Sequence, residues 1–154
     1  MKAEQPNAPV AHMAAGFNER RSRNFRTKEK IEQDMEITLY ERDGRPVAYI
    51  ADDQEHSIYT WDGHAVCYIF DDKIYGWQGH HIGWFHQGIV YDTNGYRVGY
   101  TRQTCPSVTY VEPVKYVKYV KYVKYVRCVP YVRPVFSIAQ ASISLADFIR
   151  QDAI

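Results

Sequence analysis

The chain has 154 residues, a formal net charge of +1, three cysteines and 14 tyrosines. This length predicts one domain, and so few cysteines do not predict a disulfide scaffold. No apolar run approaches the roughly 20 residues of a membrane-spanning helix, and the N-terminus lacks the apolar core of a signal peptide, so we expect a cytoplasmic protein.

Residues 1–38 precede the patterned part of the chain. Residues 1–16 contain two prolines and no periodicity, which predicts a loose arm. The charged stretch that follows, with RRSRNFRTKEKIEQD at its centre, predicts a solvated arm that is partly helical or disordered. An arm that binds nucleic acid or acidic lipid is the alternative, which the six acidic side chains of residues 1–38 weaken.

One short phrase occurs four times in residues 39–101. The copies read LYERDGRPVAYI, IYTWDGHAVCYI, IYGWQGHHIGWF and VYDTNGYRVGYT. Each contains a turn glycine, and these are Gly44, Gly63, Gly79 and Gly95. Each also contains a small residue before an aromatic, and these are Ala48, Cys67, Gly83 and Gly99. The glycines are 19, 16 and 16 residues apart, which is too short for a propeller blade of roughly 40 residues.

Each copy predicts a β-hairpin. The pairs Asp-Gly and Asn-Gly predict a type I′ turn, which needs positive φ at both central residues, and Gln78-Gly79 is the weak copy. Short links between copies make consecutive hairpins antiparallel neighbours. We therefore predict an all-β domain, a shallow pseudo-fourfold barrel of eight antiparallel strands, closed because closure removes exposed edges.

Alternation of side chains predicts one aromatic face and one small, aliphatic face. In the second copy the aromatic face is assigned Tyr59, Trp61, His64, Val66 and Tyr68. The opposite face is assigned Ile58, Thr60, Ala65, Cys67 and Ile69. The third copy follows the same rule, so Ile82 is assigned to the aromatic face with Tyr75, Trp77 and Trp84.

Residues 102–135 are the strap, which contains a run of period three. Valine occupies every third position from Val111 to Val135. The next phase is basic, at Lys115, Lys118, Lys121, Lys124, Arg127 and Arg133. The third phase carries Tyr116, Tyr119, Tyr122, Tyr125 and Tyr131. A polyproline II helix has three residues per turn and would present three stripes, over a length of about 75 Å that either wraps the barrel or projects from it.

Residues 136–154 predict a short helix that belongs to the barrel. Ser144 to Asp147 is similar to a capping box, and the residues that follow are apolar nearly all round. Four hairpins with such small residues cannot fill their own centre. We therefore predict that the helix plugs the barrel through Leu145, Phe148 and Ile149.

These features resemble the 4-fold β-flower proteins. The repeated Y-x-x-D/N-G phrase, the run from Tyr116 to Tyr125 and the SLxDF segment from Ser144 to Phe148 carry the resemblance, over residues 39–149. It implies a shallow barrel with a C-terminal helix, similar to a reduced form of the Tubby and scramblase-like barrels, which are associated with membrane lipids. It implies no established activity, and so it supplies no catalytic residues.

The residue pattern predicts no catalytic, cofactor or metal site. The histidines are interpreted as surface residues, with a metal site as the alternative, and they are His64, His80, His81 and His86. Acidic link residues are interpreted as solubilising, with calcium as the alternative, and they are Asp52, Asp53, Asp71 and Asp72. Cys67 predicts a buried small residue, and a bridge between Cys105 and Cys128 is left open.

Charge separation along the chain suggests a function. Residues 39–101 carry a net charge of −5, and the strap carries +6. The leading hypothesis is a non-enzymatic binding domain whose Lys/Tyr run contacts anionic lipid or a membrane surface, and the alternative is that the strap packs on its own barrel. Two other candidates are a carbohydrate module that uses Trp61, Trp77 and Trp84, and a nucleic-acid binder that uses the lysines and stacked tyrosines.

Overall fold

The computed structural model describes residues 35–154, and the arm prediction for residues 1–34 lies outside them. The strands are β1 (Ile37–Tyr40), β2 (Pro46–Ile50), β3 (Ser57–Thr60), β4 (Ala65–Phe70), β5 (Lys73–Gly76), β6 (His81–His86), β7 (Ile89–Asp92) and β8 (Arg97–Tyr100). One helix, α1 (Leu145–Arg150), follows the strap. β1 therefore begins two residues before the predicted boundary at residue 39.

The eight strands form one closed barrel in which each strand is antiparallel to its sequence neighbours. This confirms the predicted fold class. The pairing is uneven, however, because β4 and β5 share four residue pairs, whereas β8 and β1 share one, between Tyr100 and Tyr40. The barrel thus has a seam between its last and first strands.

The turn type within each hairpin differs from the prediction. Gly44 lies at φ 92°, and its N–H donates to the Glu41 carbonyl at 2.9 Å, but Asp43 does not have positive φ. The other three hairpins repeat this arrangement, a three-residue loop that ends in a glycine bulge. Such a loop needs positive φ at the glycine alone, so Gln78 serves the third turn as well as Asp43 serves the first.

Two-residue turns with positive φ at both positions occur instead in the links between hairpins. Asp71 and Asp72 lie at φ 49° and 63° between β4 and β5, and Gln87 and Gly88 lie at 50° and 78° between β6 and β7. Positive φ at both central residues is characteristic of type I′ turns. The acidic pair at 71 and 72, interpreted from the sequence as solubilising link residues, therefore also supplies the positive φ values of this turn.

A register shift in each hairpin also changes the predicted faces. In the second hairpin Ile58 pairs with Cys67 but Tyr59 pairs with Ala65, so Val66 is an extra residue. Val66 therefore joins Cys67 in the central core, while Ala65 packs on the outer aromatic residues. The assignment of Val66 and Ile82 to the aromatic face was wrong, because a bulge interrupts the alternation of a strand.

The C-terminal helix fills the barrel, as predicted. Leu145, Phe148 and Ile149 are at most 1% exposed and lie in one core cluster with the inner wall. The Ser144 hydroxyl accepts the Asp147 N–H at 3.1 Å and caps the helix. The glycine positions fit the helix, because a Cβ on Gly83 would lie 2.6 Å from the Phe148 ring.

Replacement of Phe148 by alanine removes the largest side chain of this plug. We expect the free energy of unfolding to fall by roughly 3–5 kcal/mol, because the rigid barrel wall cannot close on the cavity. Denaturant unfolding followed by circular dichroism measures the change. The control is Val120→Ala, at a side chain that is 95% exposed, and an equal loss in both variants would contradict the plug.

Candidate functional site

The strap wraps the barrel along the rim that carries the four hairpin turns. The N–H groups of strap residues 110, 119 and 128, and of residue 137 just after the strap, donate to the carbonyls of the four turn glycines, at 2.9–3.0 Å. These donors are Tyr110, Tyr119, Cys128 and Ser137, nine residues apart. Nine residues of this part of the chain therefore match one hairpin of the barrel.

The three phases of the strap have different environments. The strap N–H groups that bind the barrel belong to the tyrosine phase, which includes Tyr116 and Tyr125 with their acceptors Trp61 and Trp77. The basic side chains lie against the barrel, and those of Lys121 and Lys124 are 27% and 24% exposed. The valines point away, and Val120 is 95% exposed. The period-three pattern thus sorts hydrogen bonding, charge and apolar surface onto separate sides.

Aromatic residues on the outer face of the barrel receive the basic side chains. Lys115 lies 4.7 Å from the Tyr49 ring centre, and Lys118 lies 5.3 Å from that of Tyr59. On the next cluster, Lys124 lies 4.0 Å from the Tyr68 ring centre. Arg127 covers Phe70 at 3.7 Å, and Arg133 covers Phe136, a residue that follows the strap, at 4.7 Å. Such cation–π contacts give about 0.5–2 kcal/mol each.

Carboxylates of the barrel complete the environment of these cations. Lys121 lies 3.1 Å from Asp53 and 3.2 Å from Glu55, and Lys124 lies 2.6 Å from Glu55. The Lys124 ammonium lowers the pKa of the Glu55 carboxyl through this hydrogen bond. Lys115 and Lys118 share Glu36 in the same way. The +6 strap therefore packs on its own −5 barrel, the alternative that the sequence left open.

His81 is buried and anchors the strap to the third hairpin. It is 4% exposed, which corrects its interpretation as a surface residue. Its Nδ1 accepts the Tyr131 N–H at 2.9 Å, so Nε2 carries the proton that is donated to the Gly83 carbonyl at 2.8 Å. Burial lowers the pKa of His81, which favours this neutral form. The bulge turns His81 to the outer face beside Trp84, where the strap covers it.

Two of the predicted sugar-binding tryptophans are covered. Trp77 and Trp84 are each 1% exposed, and the Trp77 indole N–H donates to the Tyr122 carbonyl at 2.6 Å. Trp61 is partly buried against Tyr49. The strap therefore covers the aromatic face, which does not present the exposed platform that a carbohydrate module needs.

Other predicted site residues are not brought together. All three cysteines lie in the described region as free thiols, with Cys67 buried and Cys105 unpaired with Cys128. Residues 35–154 contain no group of three or more histidine, cysteine or acidic side chains that could hold a metal ion. In the same residues, no helix is both long and apolar enough to cross a bilayer.

The repeat, the strap and the plug together are the features of one family. A profile described as 4-fold beta flower protein matches residues 37–149. The chain belongs to this family. Comparisons with curated proteins and with solved structures find no match. The match covers the barrel, the strap and the helix of this β-flower protein as one unit.

Sequence reasoning missed two residues that position the strap. Phe136, which follows the strap, stacks on Tyr91 at 4.1 Å between ring centres and takes the place of a lysine on the last aromatic cluster. The Asp152 carboxylate accepts the His80 backbone N–H at 2.9 Å and lies 2.7 Å from the His80 ring Nδ1, which ties the C-terminus to the third turn. The end of the valine period was the available signal for Phe136, whereas the sequence carried none for Asp152.

The anchor at His81 predicts a local pH dependence. A histidine whose folded pKa is lowered stabilises the fold above its unfolded pKa of about 6.5, and this stability is lost as the pH falls through the folded pKa. We expect the hydrogen-exchange protection factor of the Tyr131 amide to fall at acidic pH. The Tyr125 amide, whose acceptor is the Trp77 carbonyl, is the control, and an equal fall at both amides would contradict the anchor.

Replacement of Lys124 by glutamine should loosen the strap over the second aromatic cluster. The change removes the contact with Tyr68 and the ion pair with Glu55, so we expect the Trp77 indole N–H to exchange faster by a factor of roughly 3–30, as a cation–π contact of this kind implies. Exchange followed by NMR measures it. Lys73→Gln is the control, because Lys73 pairs with Asp71 and Asp72 in a link, and equal rates in both variants would contradict the role of Lys124.

Proposed function

We propose that the protein is a non-enzymatic binding domain that docks on a membrane surface through the outer side of its strap. The proposal depends on one observation, namely that the nine valines at every third position of the strap are 82–95% exposed. These residues, the valine belt, are Val111, Val114, Val117, Val120, Val123, Val126, Val129, Val132 and Val135. A continuous apolar surface of this kind is typical of an interaction site.

The tyrosines beside the belt support a membrane interface. Tyr116, Tyr119, Tyr122 and Tyr125 are 59–67% exposed, although their backbone groups lie against the barrel rim. Tyrosine combines an apolar ring with a polar hydroxyl and is enriched at the level of lipid headgroups. The strap therefore offers apolar side chains flanked by side chains suited to the boundary between hydrocarbon and water.

The shape of the belt favours lipid over a protein partner. The valines follow the strap around the rim, so they form a long band of exposed side chains on its outer side. A protein partner would have to encircle the barrel to cover this band, whereas lipid headgroups and chains can adapt to any arc of it. Insertion of an arc into the interface would remove several valines from water, each contributing up to about 1.5–3 kcal/mol if fully buried.

The strap lysines contribute less to this docking than their number suggests. Lys121 and Lys124 neutralise Asp53 and Glu55, and Lys115 and Lys118 face Glu36. Their charge is therefore largely compensated within the molecule, and the attraction to anionic headgroups is small. We accordingly propose a contact that is mainly apolar and only weakly dependent on salt or on lipid charge.

A peripheral location in the cytoplasm is part of the proposal. The free thiols of Cys105 and Cys128 suit a reducing compartment. Nucleic-acid binding through the exposed strap tyrosines is the second candidate, favoured by their 59–67% exposure. It is the weaker one, because the lysines that would bind phosphates are paired with carboxylates.

Vesicle flotation tests the proposal. We expect binding to phosphatidylcholine vesicles that changes little when phosphatidylserine or salt is added. The triple variant Val117→Ser, Val120→Ser and Val123→Ser should lower the partition coefficient at least about tenfold, or about 1.4 kcal/mol. Its thermal stability should stay unchanged, because these side chains are 87–95% exposed in the folded protein.

The matched control is Ile154→Ser, which removes an apolar side chain, 59% exposed, outside the belt. Binding that the triple variant retains would contradict the valine belt as the docking surface. Binding that requires phosphatidylserine and disappears at high salt would instead show that the strap lysines bind the lipid. A gel shift with single-stranded nucleic acid that depends on the strap tyrosines would favour the second candidate.

A further inference from the structure

The two ends of the strap meet at the seam of the barrel and leave a cleft there. The strap begins after β8, and at its far end the chain returns to β8, where the Arg97 N–H donates to the Ala139 carbonyl at 2.9 Å and the Ala141 N–H donates to the Arg97 carbonyl at 2.8 Å. The cleft has a volume of about 390 Å³ and is lined by Arg42, Arg97, Tyr100, Thr104 and Gln140, among others. We infer that this cleft binds a phosphate monoester.

Two guanidinium groups line the cleft without a carboxylate partner among residues 35–154. In the same part of the chain, the cationic groups of Lys121, Lys124 and Arg133 are all paired with acidic side chains. Arg42 and Arg97 have no such pair, and the residues that line the cleft include no acid. The lining of the cleft is therefore positively charged, whereas acidic side chains pair with the lysines where the strap covers the barrel.

The hydrogen bonds already made in the cleft show which donors remain for a ligand. The Arg97 Nε donates to the Ser137 carbonyl at 3.2 Å, which fixes the side chain and leaves its two terminal NH₂ groups. The Tyr100 hydroxyl donates to Gln140 Oε1, which fixes the amide and leaves its NH₂ group as a donor. Together with Arg42, these groups form a set of donors only, suited to an oxyanion.

The Tyr100 phenol lies close enough to both cations to interact with them. Burial raises the pKa of the Tyr100 hydroxyl, and the Arg97 and Arg42 guanidiniums lower it. Both charges therefore act on this hydroxyl, although Arg42 lies in the first hairpin turn and Arg97 in the last strand. The seam brings them together across the point where the fourfold repeat is interrupted.

A phosphate monoester matches this site better than a carboxylate. Its second pKa is about 6, so it carries nearly two negative charges at neutral pH and can meet two guanidiniums with separate oxygens. Such a group can belong to a soluble ester or to the headgroup of phosphatidic acid. The inference does not depend on docking through the valine belt, because the cleft and the belt are formed by different side chains.

Calorimetric titration with glycerol 3-phosphate tests the soluble source, with ¹⁵N NMR shifts to locate the site. We expect saturable binding with shifts at Arg97, Gln140 and Thr104. Arg42→Gln and Arg97→Gln should each weaken it about tenfold or more, because each removes a charge-assisted contact. Arg45→Gln is the matched control, since Arg45 pairs with Asp43 at 2.8 Å outside this cleft.

Arg42→Gln is the variant that can weaken binding without disturbing the fold. Arg97 also holds Ser137, whereas the Arg42 side chain makes no hydrogen bond to residues 35–154. Flotation with phosphatidic acid vesicles tests the lipid source, and a loss on Arg42→Gln that phosphatidylcholine vesicles do not show would assign the site to that headgroup. The inference is overturned if neither source binds, or if Arg45→Gln weakens binding as much as Arg42→Gln does.

Discussion

The missing side chain at the four turn glycines is the constraint on which the strap depends. A Cβ at Gly44, Gly63, Gly79 or Gly95 would lie 2.1–2.8 Å from a strap carbonyl oxygen. The same glycines have φ of 87–93°, which other residues rarely adopt. One residue per hairpin therefore meets two demands, the shape of the turn and the close approach of the strap backbone. The placement of the lysines on the aromatic clusters follows from that approach.

Much of the barrel could be predicted because its signals are local and repeated. Four glycine turns, β-branched flanks and short links were enough for eight strands, and the small residues at 48, 67, 83 and 99 were enough for a helical plug. The faces of Val66 and Ile82 could not be predicted by alternation. A bulge at each of these residues interrupts the strand, and one extra residue reverses the side on which the next residue points.

The strap shows a different limit of sequence reasoning. Period three predicts stripes, but it does not say which stripe faces the protein, and a row of lysines beside valines would ordinarily face water. In this protein the lysines face the barrel instead. Aromatic rings such as Tyr68 and carboxylates such as Glu55 attract a cationic side chain more strongly than a valine. The exposed valines have no packing role in residues 35–154. Packing within these residues therefore does not account for the regular spacing of the valines.

The nine-residue match between strap and hairpin links the length of the strap to the number of hairpins that precede it in the chain. Loss of three strap residues would keep the valine, lysine and tyrosine phases intact, yet every later contact with a turn glycine would be displaced. A hairpin spans about 16 residues between turn glycines. Gain of a whole hairpin would leave the strap nine residues too short, and loss of one would leave it nine residues too long. Insertions and deletions should therefore be inherited as coupled events, so that the length of one region records the number of copies in the other.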